Sequence, residues 1–128
     1  EDNPNPLNYY GKLKFDIEKY LEGKNINYTI VSTNQNSSYL SYHQLSKAII
    51  NQHSFIINCT PLGSGNFIKE KPFIPYSLIK NYHFAYDLNY NPSKTLFLLE
   101  AEKRNATIKN GEEMFKFQAE KSWEIWNT

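Results

Sequence analysis

The chain has 128 residues, of which 40% are hydrophobic and 16% aromatic, a composition typical of a globular domain that can bury a core. Fourteen basic residues face 13 acidic ones for a formal net charge of +1, which favours neither nucleic acid nor an anionic membrane as a partner. No apolar run reaches the roughly 18 to 20 residues that span a bilayer, so we expect no membrane insertion and a cytoplasmic protein.

The first third of the chain predicts a lead-in, a helix and a strand. Pro4 and Pro6 remove backbone donors, which predicts an extended segment over residues 1–10 and a single domain over residues 11–128. The predicted elements up to residue 52 are a helix over 12–22, a strand over 27–31 and, after the capping pair Ser41 and Gln44, a helix over 41–52.

The stretch Phe55–Gly63 has the strongest local pattern. Three apolar residues lead into Asn58, Cys59 and Thr60 and then a turn, which predicts a short strand with a small buried thiol at its end. The elements expected after it are a helical turn over 76–80, strands over 83–88 and 107–108, and helices over 93–104 and after Gly111. Strands that alternate with helices predict an α/β fold with a mostly parallel sheet of four to five strands.

The carboxyl ends of parallel strands meet at one edge of a sheet, where ligands bind. Four strand ends would lie there, at Val31–Ser32, Asn58–Thr60, Asp87–Tyr90 and Lys109–Gly111. Asparagines at these ends have two interpretations, because the same side chains serve as ligand contacts or as turn and cap residues.

The sequence shows no pattern that predicts catalytic or metal-binding residues. The three histidines, His43, His53 and His83, have no spacing that suggests a metal site or a triad, and Cys59 has no histidine nearby in sequence. The pair Glu112 and Glu113 begins the last helix, where negative charge is stabilising in any case.

Three blocks of sequence resemble the cofactor domain of shikimate dehydrogenases. They read IINCTPLGS at 56–64, DLNYNPSKTLFL at 87–98 and NGEEMFKFQAEKSWEIWN at 110–127. The resemblance implies a Rossmann-like three-layer domain, the C-terminal NADP-binding domain of enzymes that transfer hydride between NADP and the shikimate/3-dehydroshikimate pair.

The resemblance also implies roles for individual residues. Those that would contact NADP are Asn58, Thr60, Pro61, Leu62, Gly63, Gly111 and Met114. Tyr90 and Gln118 resemble the residues that reach the substrate across the cleft.

The chain departs from the family pattern near its start. The family's GxGGxxK turn lets backbone N–H groups approach the pyrophosphate, whereas residues 8–14 read NYYGKLK and keep only Gly11 and Lys14. The expected first strand is altered by prolines, and Ser32 stands where the family often places an arginine for the 2′-phosphate.

Two hypotheses follow for function. The first is a degenerate binding or interaction module, a shikimate dehydrogenase-like cofactor domain that lacks the catalytic domain and is inactive by itself. The alternative is the NADP-binding half of a split or truncated shikimate dehydrogenase. In either case the apolar residues of the last helix predict a homo-oligomer or a protein partner that covers them.

Overall fold

The computed structural model describes residues 19–34 and 38–128, which divide into one unit up to Leu40 and another from Ser41 onward. In the first unit, residues 19–23 are helical, and Asn25 has a φ of 54° just beyond the helix. The predicted lead-in, the glycine turn at 8–14 and the start of the predicted helix 12–22 lie outside the described residues. The predicted strand 27–31 is too long, because only Val31 pairs, in a parallel bridge with Leu40.

The second unit contains a parallel sheet of three strands. They are β1 (Phe55–Asn58), β2 (Phe84–Asp87) and β3 (Thr107–Lys109), in the order β1-β2-β3. The described residues therefore hold fewer strands than the four to five expected, since the run before Val31 meets a partner at one residue alone. The register pairs Phe55 with Phe84, whose rings stack at 4.8 Å, and Asn58 with Asp87 at the carboxyl ends.

The second unit contains three α-helices, and a hydroxyl side chain caps the first two but not the third. They are α1 (Lys47–Gln52), α2 (Leu96–Glu102) and α3 (Glu112–Trp126). The helix expected over 41–52 is interrupted, because Ser46 caps α1 by accepting the Ile49 N–H at 3.3 Å, which leaves Tyr42–Gln44 as a separate 3-10 turn. Within the described residues, no helix combines the length and the apolar character needed to cross a membrane.

The core lies where α2 packs on β2 and β3. Its buried residues are Ile79, Ala85, Phe97, Leu98, Ala101 and Ala106. His83 is also buried, and its Nδ1 accepts the Lys80 backbone N–H at 2.8 Å, so its Nε2–H is free to donate to the Ile50 carbonyl at 3.2 Å. His83 is therefore a buried core residue whose two ring nitrogens both have hydrogen-bond partners.

Candidate functional site

The carboxyl ends of β1, β2 and β3 lie along one edge of the sheet, and we call the segments there, residues 58–64, 87–95 and 109–111, the rim. Three of the four predicted strand ends are therefore in this sheet. The fourth, at Val31, belongs to the other unit. In α/β folds this edge is the usual place for ligands.

Asn58 organises the turn that follows β1. Its Oδ1 accepts the Thr60 backbone N–H at 3.0 Å and the Thr60 hydroxyl at 2.6 Å, while its Nδ2 donates to the Leu62 carbonyl at 3.2 Å. The Thr60 hydroxyl oxygen in turn accepts the Leu62 N–H at 3.3 Å. One buried amide thus makes three hydrogen bonds to two residues of the turn, Thr60 and Leu62, an arrangement typical of an Asx turn.

Asp87 ends β2 with its side chain fully buried. Its Oδ1 accepts from Asn58 Nδ2 at 3.2 Å, from Asn89 N at 3.0 Å and from Asn89 Nδ2 at 2.9 Å. Its Oδ2 accepts the Thr95 hydroxyl at 2.5 Å, and Thr95 itself caps α2. Both carboxylate oxygens are therefore satisfied by neutral donors from three separate segments.

Asn89 joins the turn after β1 to the turn after β2. Besides its bond to Asp87, its Nδ2 donates to the carbonyls of Thr60 at 3.0 Å and Leu62 at 3.3 Å. Ser64 adds a further link, because its hydroxyl donates to the Asn91 carbonyl at 2.8 Å. The two turns are thus tied together by side chains from both.

Two rim glycines are required by close contacts. Gly63 has a φ of +100°, and a Cβ on it would lie 2.9 Å from the Thr95 Cβ. A Cβ on Gly111 would lie 2.0 Å from the Leu88 carbonyl oxygen, while the Gly111 N–H donates to the Asn89 carbonyl at 3.0 Å. Packing of the rim alone accounts for both glycines.

The remaining predicted residues lie on or beside α3. Tyr90 stacks on Phe115 with ring centroids 4.7 Å apart, and Tyr90 is 43% exposed. Met114 directly precedes Phe115 on α3. Gln118 follows Met114 by about one helical turn and is exposed. The structure thus brings Tyr90 to the start of α3, where Gly111 and Met114 also lie.

The junction between β3 and α3 is held by polar contacts. Asn110 accepts the Glu112 N–H at 3.1 Å and donates to the Ser93 carbonyl at 2.9 Å. An ion pair joins Lys109 to Glu113, and the hydrogen bond between them raises the pKa of Lys109 and lowers the pKa of Glu113. Glu113 is therefore a partner for Lys109 as well as a favourable charge at the helix start.

Cys59 was expected to be buried, and the structure shows it exposed. The reason is that β1 ends at Asn58, so the buried position of the strand falls on the asparagine and Cys59 begins the turn. Burial, and then the proximity of Cys59, raises the pKa of Tyr42.

The turn 59–64 uses most of its backbone N–H groups internally. The backbone N–H groups of Thr60, Leu62, Gly63 and Ser64 are all engaged inside the turn or with Phe67, so they do not form an anion cradle. In the part of the chain that the structure describes, no group of three or more His, Cys, Asp or Glu side chains could hold a metal ion. These four N–H groups of the turn are therefore not available to hold a phosphate group.

Sequence reasoning placed Asp87 and Asn89 at the edge without assigning either a function, and it missed Thr95 and Phe115. A signal for Thr95 exists, since a threonine directly before an apolar helix is a typical N-cap. Phe115 has no comparable signal, because its contact with Tyr90 depends on how α3 leaves the sheet.

No family model matches the chain. A shikimate dehydrogenase (NADP(+)) of Clostridium botulinum is 36% identical over 104 residues, which cover 76% of this chain and 40% of that protein. The corresponding protein of Methanococcus vannielii is 36% identical over 115 residues, which cover 90% of this chain and 37% of the relative. The chain thus spans about two fifths of the length of these relatives.

Solved structures agree with the sequence matches. A shikimate dehydrogenase crystallised in complex with NADP+ superposes with a TM-score of 0.56 and 34% identity, over 60% of this chain and 27% of that one. A chorismate mutase/shikimate 5-dehydrogenase fusion protein from Clostridium acetobutylicum gives a TM-score of 0.67 and 30% identity, over 87% of this chain and 41% of its own. The α/β fold is Rossmann-like, as the resemblance implied, and the chain matches only part of each relative. Over most of its length the chain is therefore homologous to a part of the shikimate dehydrogenases.

Proposed function

We propose that this chain is the cofactor-binding portion of a shikimate dehydrogenase and that its rim contacts NADP. The observation that carries the proposal is the braced turn 59–64, which hydrogen bonds from Asn58 and Asn89 hold at the carboxyl end of a parallel sheet. A turn fixed in this way loses little conformational entropy when a ligand packs against it, which favours binding.

Each part of the rim has a role in the proposal. Thr60, Pro61 and Leu62 supply the surface against which the ring and ribose lie, and Gly63 lets the turn close on Thr95. Gly111 and Met114 border the same site from the start of α3. Tyr90, held by the Phe115 ring, and Gln118 face the substrate.

Bound NADP would supply the hydride-transfer chemistry, and this chain would bind and orient it. Tyr90 is 43% exposed at the rim, and in the proposal its hydroxyl is a hydrogen-bond donor or acceptor to a polyhydroxylated acid. We assign no proton transfer to the chain, and the chemical step belongs to the complete enzyme. Residues 1–128 by themselves would therefore bind the cofactor without turning over substrate.

A second candidate function, an interaction module, has one observation in its favour. α3 exposes large apolar side chains along its length, and the most exposed are Phe117, Trp123, Ile125 and Trp126, at 66%, 68%, 63% and 82%. Large apolar side chains exposed to this extent on a surface helix are typical of a contact with protein. The two candidates are compatible, since a cofactor-binding portion also needs contact with the rest of its enzyme or with a second copy.

Thermal unfolding in the presence of NADPH tests the rim assignment. A ligand at 100 times its Kd stabilises the folded state by about 2.7 kcal/mol, which raises Tm measurably in a chain of this size. We expect the rise for the wild type and a smaller rise for Asn58→Ala, which lacks the acceptor for Thr60. An equal rise in Asn58→Ala would show that NADPH binds away from the rim.

A further inference from the structure

We infer that Asp87 is a positioning residue, which holds the turns after β1 and β2 as one preformed unit that exists before any ligand binds. The inference starts from burial, because the Asp87 side chain is 0% exposed and lies between the two turns instead of pointing to solvent. Its carboxylate cannot contact a ligand directly. It acts through the residues that it holds.

The geometry shows how one carboxylate reaches both turns. Asn58 is its register partner on β1, so the two side chains lie side by side at the strand ends and bond at 3.2 Å. Asn89 comes two residues later along β2 and donates to the same oxygen twice, while Thr95 occupies the other oxygen. Every one of these donors also contacts a turn or caps a helix.

An amide at position 87 could not replace the carboxylate. If the amide oxygen kept the bonds from Asn58 and Asn89, its NH₂ group would face the Thr95 hydroxyl, which already accepts the Leu98 N–H at 3.4 Å. The Thr95 proton would then lose its acceptor in a buried place, which is costly. If the amide were flipped, the donors of Asn58 and Asn89 would instead meet an NH₂ group.

The test for order in the turn needs no ligand. Hydrogen exchange of the Gly63 and Ser64 amides reports on the turn, because the Ser64 N–H donates to the Pro61 carbonyl within it and the Gly63 N–H to the Phe67 carbonyl just beyond it. We expect exchange about tenfold faster in Asp87→Asn, since a lost charged hydrogen bond is worth at least that factor in local opening.

Two further variants make the result decisive. Asn89→Ala removes the side-chain hydrogen bonds from Asn89 to Asp87, Thr60 and Leu62 and leaves Asp87 in place. It therefore tests the connection between the two turns even if Asp87→Asn fails to fold. Ile79→Ala lowers stability from a core position outside the rim and serves as the matched control. Faster exchange in the two rim variants but not in Ile79→Ala supports the inference, and an equal effect in all three variants, or none, overturns it.

The claim that Asp87 orders the two turns for the binding of a dinucleotide rests on the proposed function. NADPH titration of the same variants tests it separately, with Kd expected to rise about tenfold in Asn89→Ala and to stay unchanged in Ile79→Ala. If the wild type does not bind NADPH, the proposed function fails while the exchange result still decides on Asp87. If the wild type binds and Asn89→Ala matches Ile79→Ala in Kd, the positioning role in binding is wrong.

Discussion

Replacing Gly111 by alanine is the sharpest perturbation of the rim. The new Cβ would lie 2.0 Å from the Leu88 carbonyl oxygen, 2.7 Å from its carbonyl carbon and 3.1 Å from its Cα. All three atoms are backbone, so no side chain can rotate away, and the start of α3 must move by about 1.4 Å to reach ordinary contact. That movement also stretches the 3.0 Å hydrogen bond from Gly111 N to the Asn89 carbonyl.

The expected cost combines both effects. Overpacking costs about 1 to 3 kcal/mol and the weakened hydrogen bond about 1 kcal/mol, for a loss of about 2 to 4 kcal/mol in the free energy of unfolding. Gly23→Ala is the control, because a Cβ there meets nothing within 4 Å. Its effect should be within about 0.5 kcal/mol of zero or stabilising.

Urea unfolding followed by far-ultraviolet circular dichroism measures both variants on one scale. Tryptophan fluorescence is a poorer probe, since Trp123 and Trp126 are exposed in the folded protein. A Gly111→Ala protein within about 0.5 kcal/mol of wild type would refute the close approach of α3 to Leu88, and with it the packing reason for this glycine.

Three further predictions concern the turn, the α2 ion pairs and the surface of α3. Gly63→Ala should cost more stability than Gly65→Ala in urea unfolding, because both have positive φ but only Gly63 also meets Thr95; equal costs would contradict the contact. Hydrogen bonds from Arg104 and Lys103 lower the pKa of Glu100 from 4.5 to about 2. The free energy of unfolding of the wild type should therefore exceed that of Glu100→Gln by its full amount above pH 4.5, and this difference should vanish towards pH 2. A difference between the two proteins that does not change with pH would contradict the lowered pKa. Sedimentation at tens of micromolar should show association that Trp126→Lys weakens, and a monodisperse wild-type monomer would count against an interface on α3.

The sheet could be predicted because its strands are local patterns. Phe55–Asn58 and Phe84–Asp87 are short apolar or aromatic runs that end in polar turn residues, and the helices between strands require parallel pairing. The strand expected up to Val31 has equally good propensity. It fails because strand formation also needs a partner along its length, which sequence propensity does not contain.

The rim could be located from the sequence, but the hydrogen bonds among its side chains could not be predicted. Knowing that strand ends meet at one edge was enough to place Asn58, Asp87 and Asn89 near one another. Their hydrogen bonds depend on the register that puts Asn58 opposite Asp87, 29 residues away, and one residue of slip would turn these side chains to opposite faces. The exposure of Cys59 has the same origin, since it depends on the residue at which β1 stops.

Calorimetric titration of the 128-residue chain with NADPH tests the central claim most directly. The account predicts saturable binding of one NADPH per chain with a Kd on the order of micromolar to tens of micromolar, weakened about tenfold by Asn89→Ala. No heat of binding up to millimolar NADPH, with the protein folded by circular dichroism, would contradict the assignment of the rim as a cofactor site and leave the interaction module as the function of this fold.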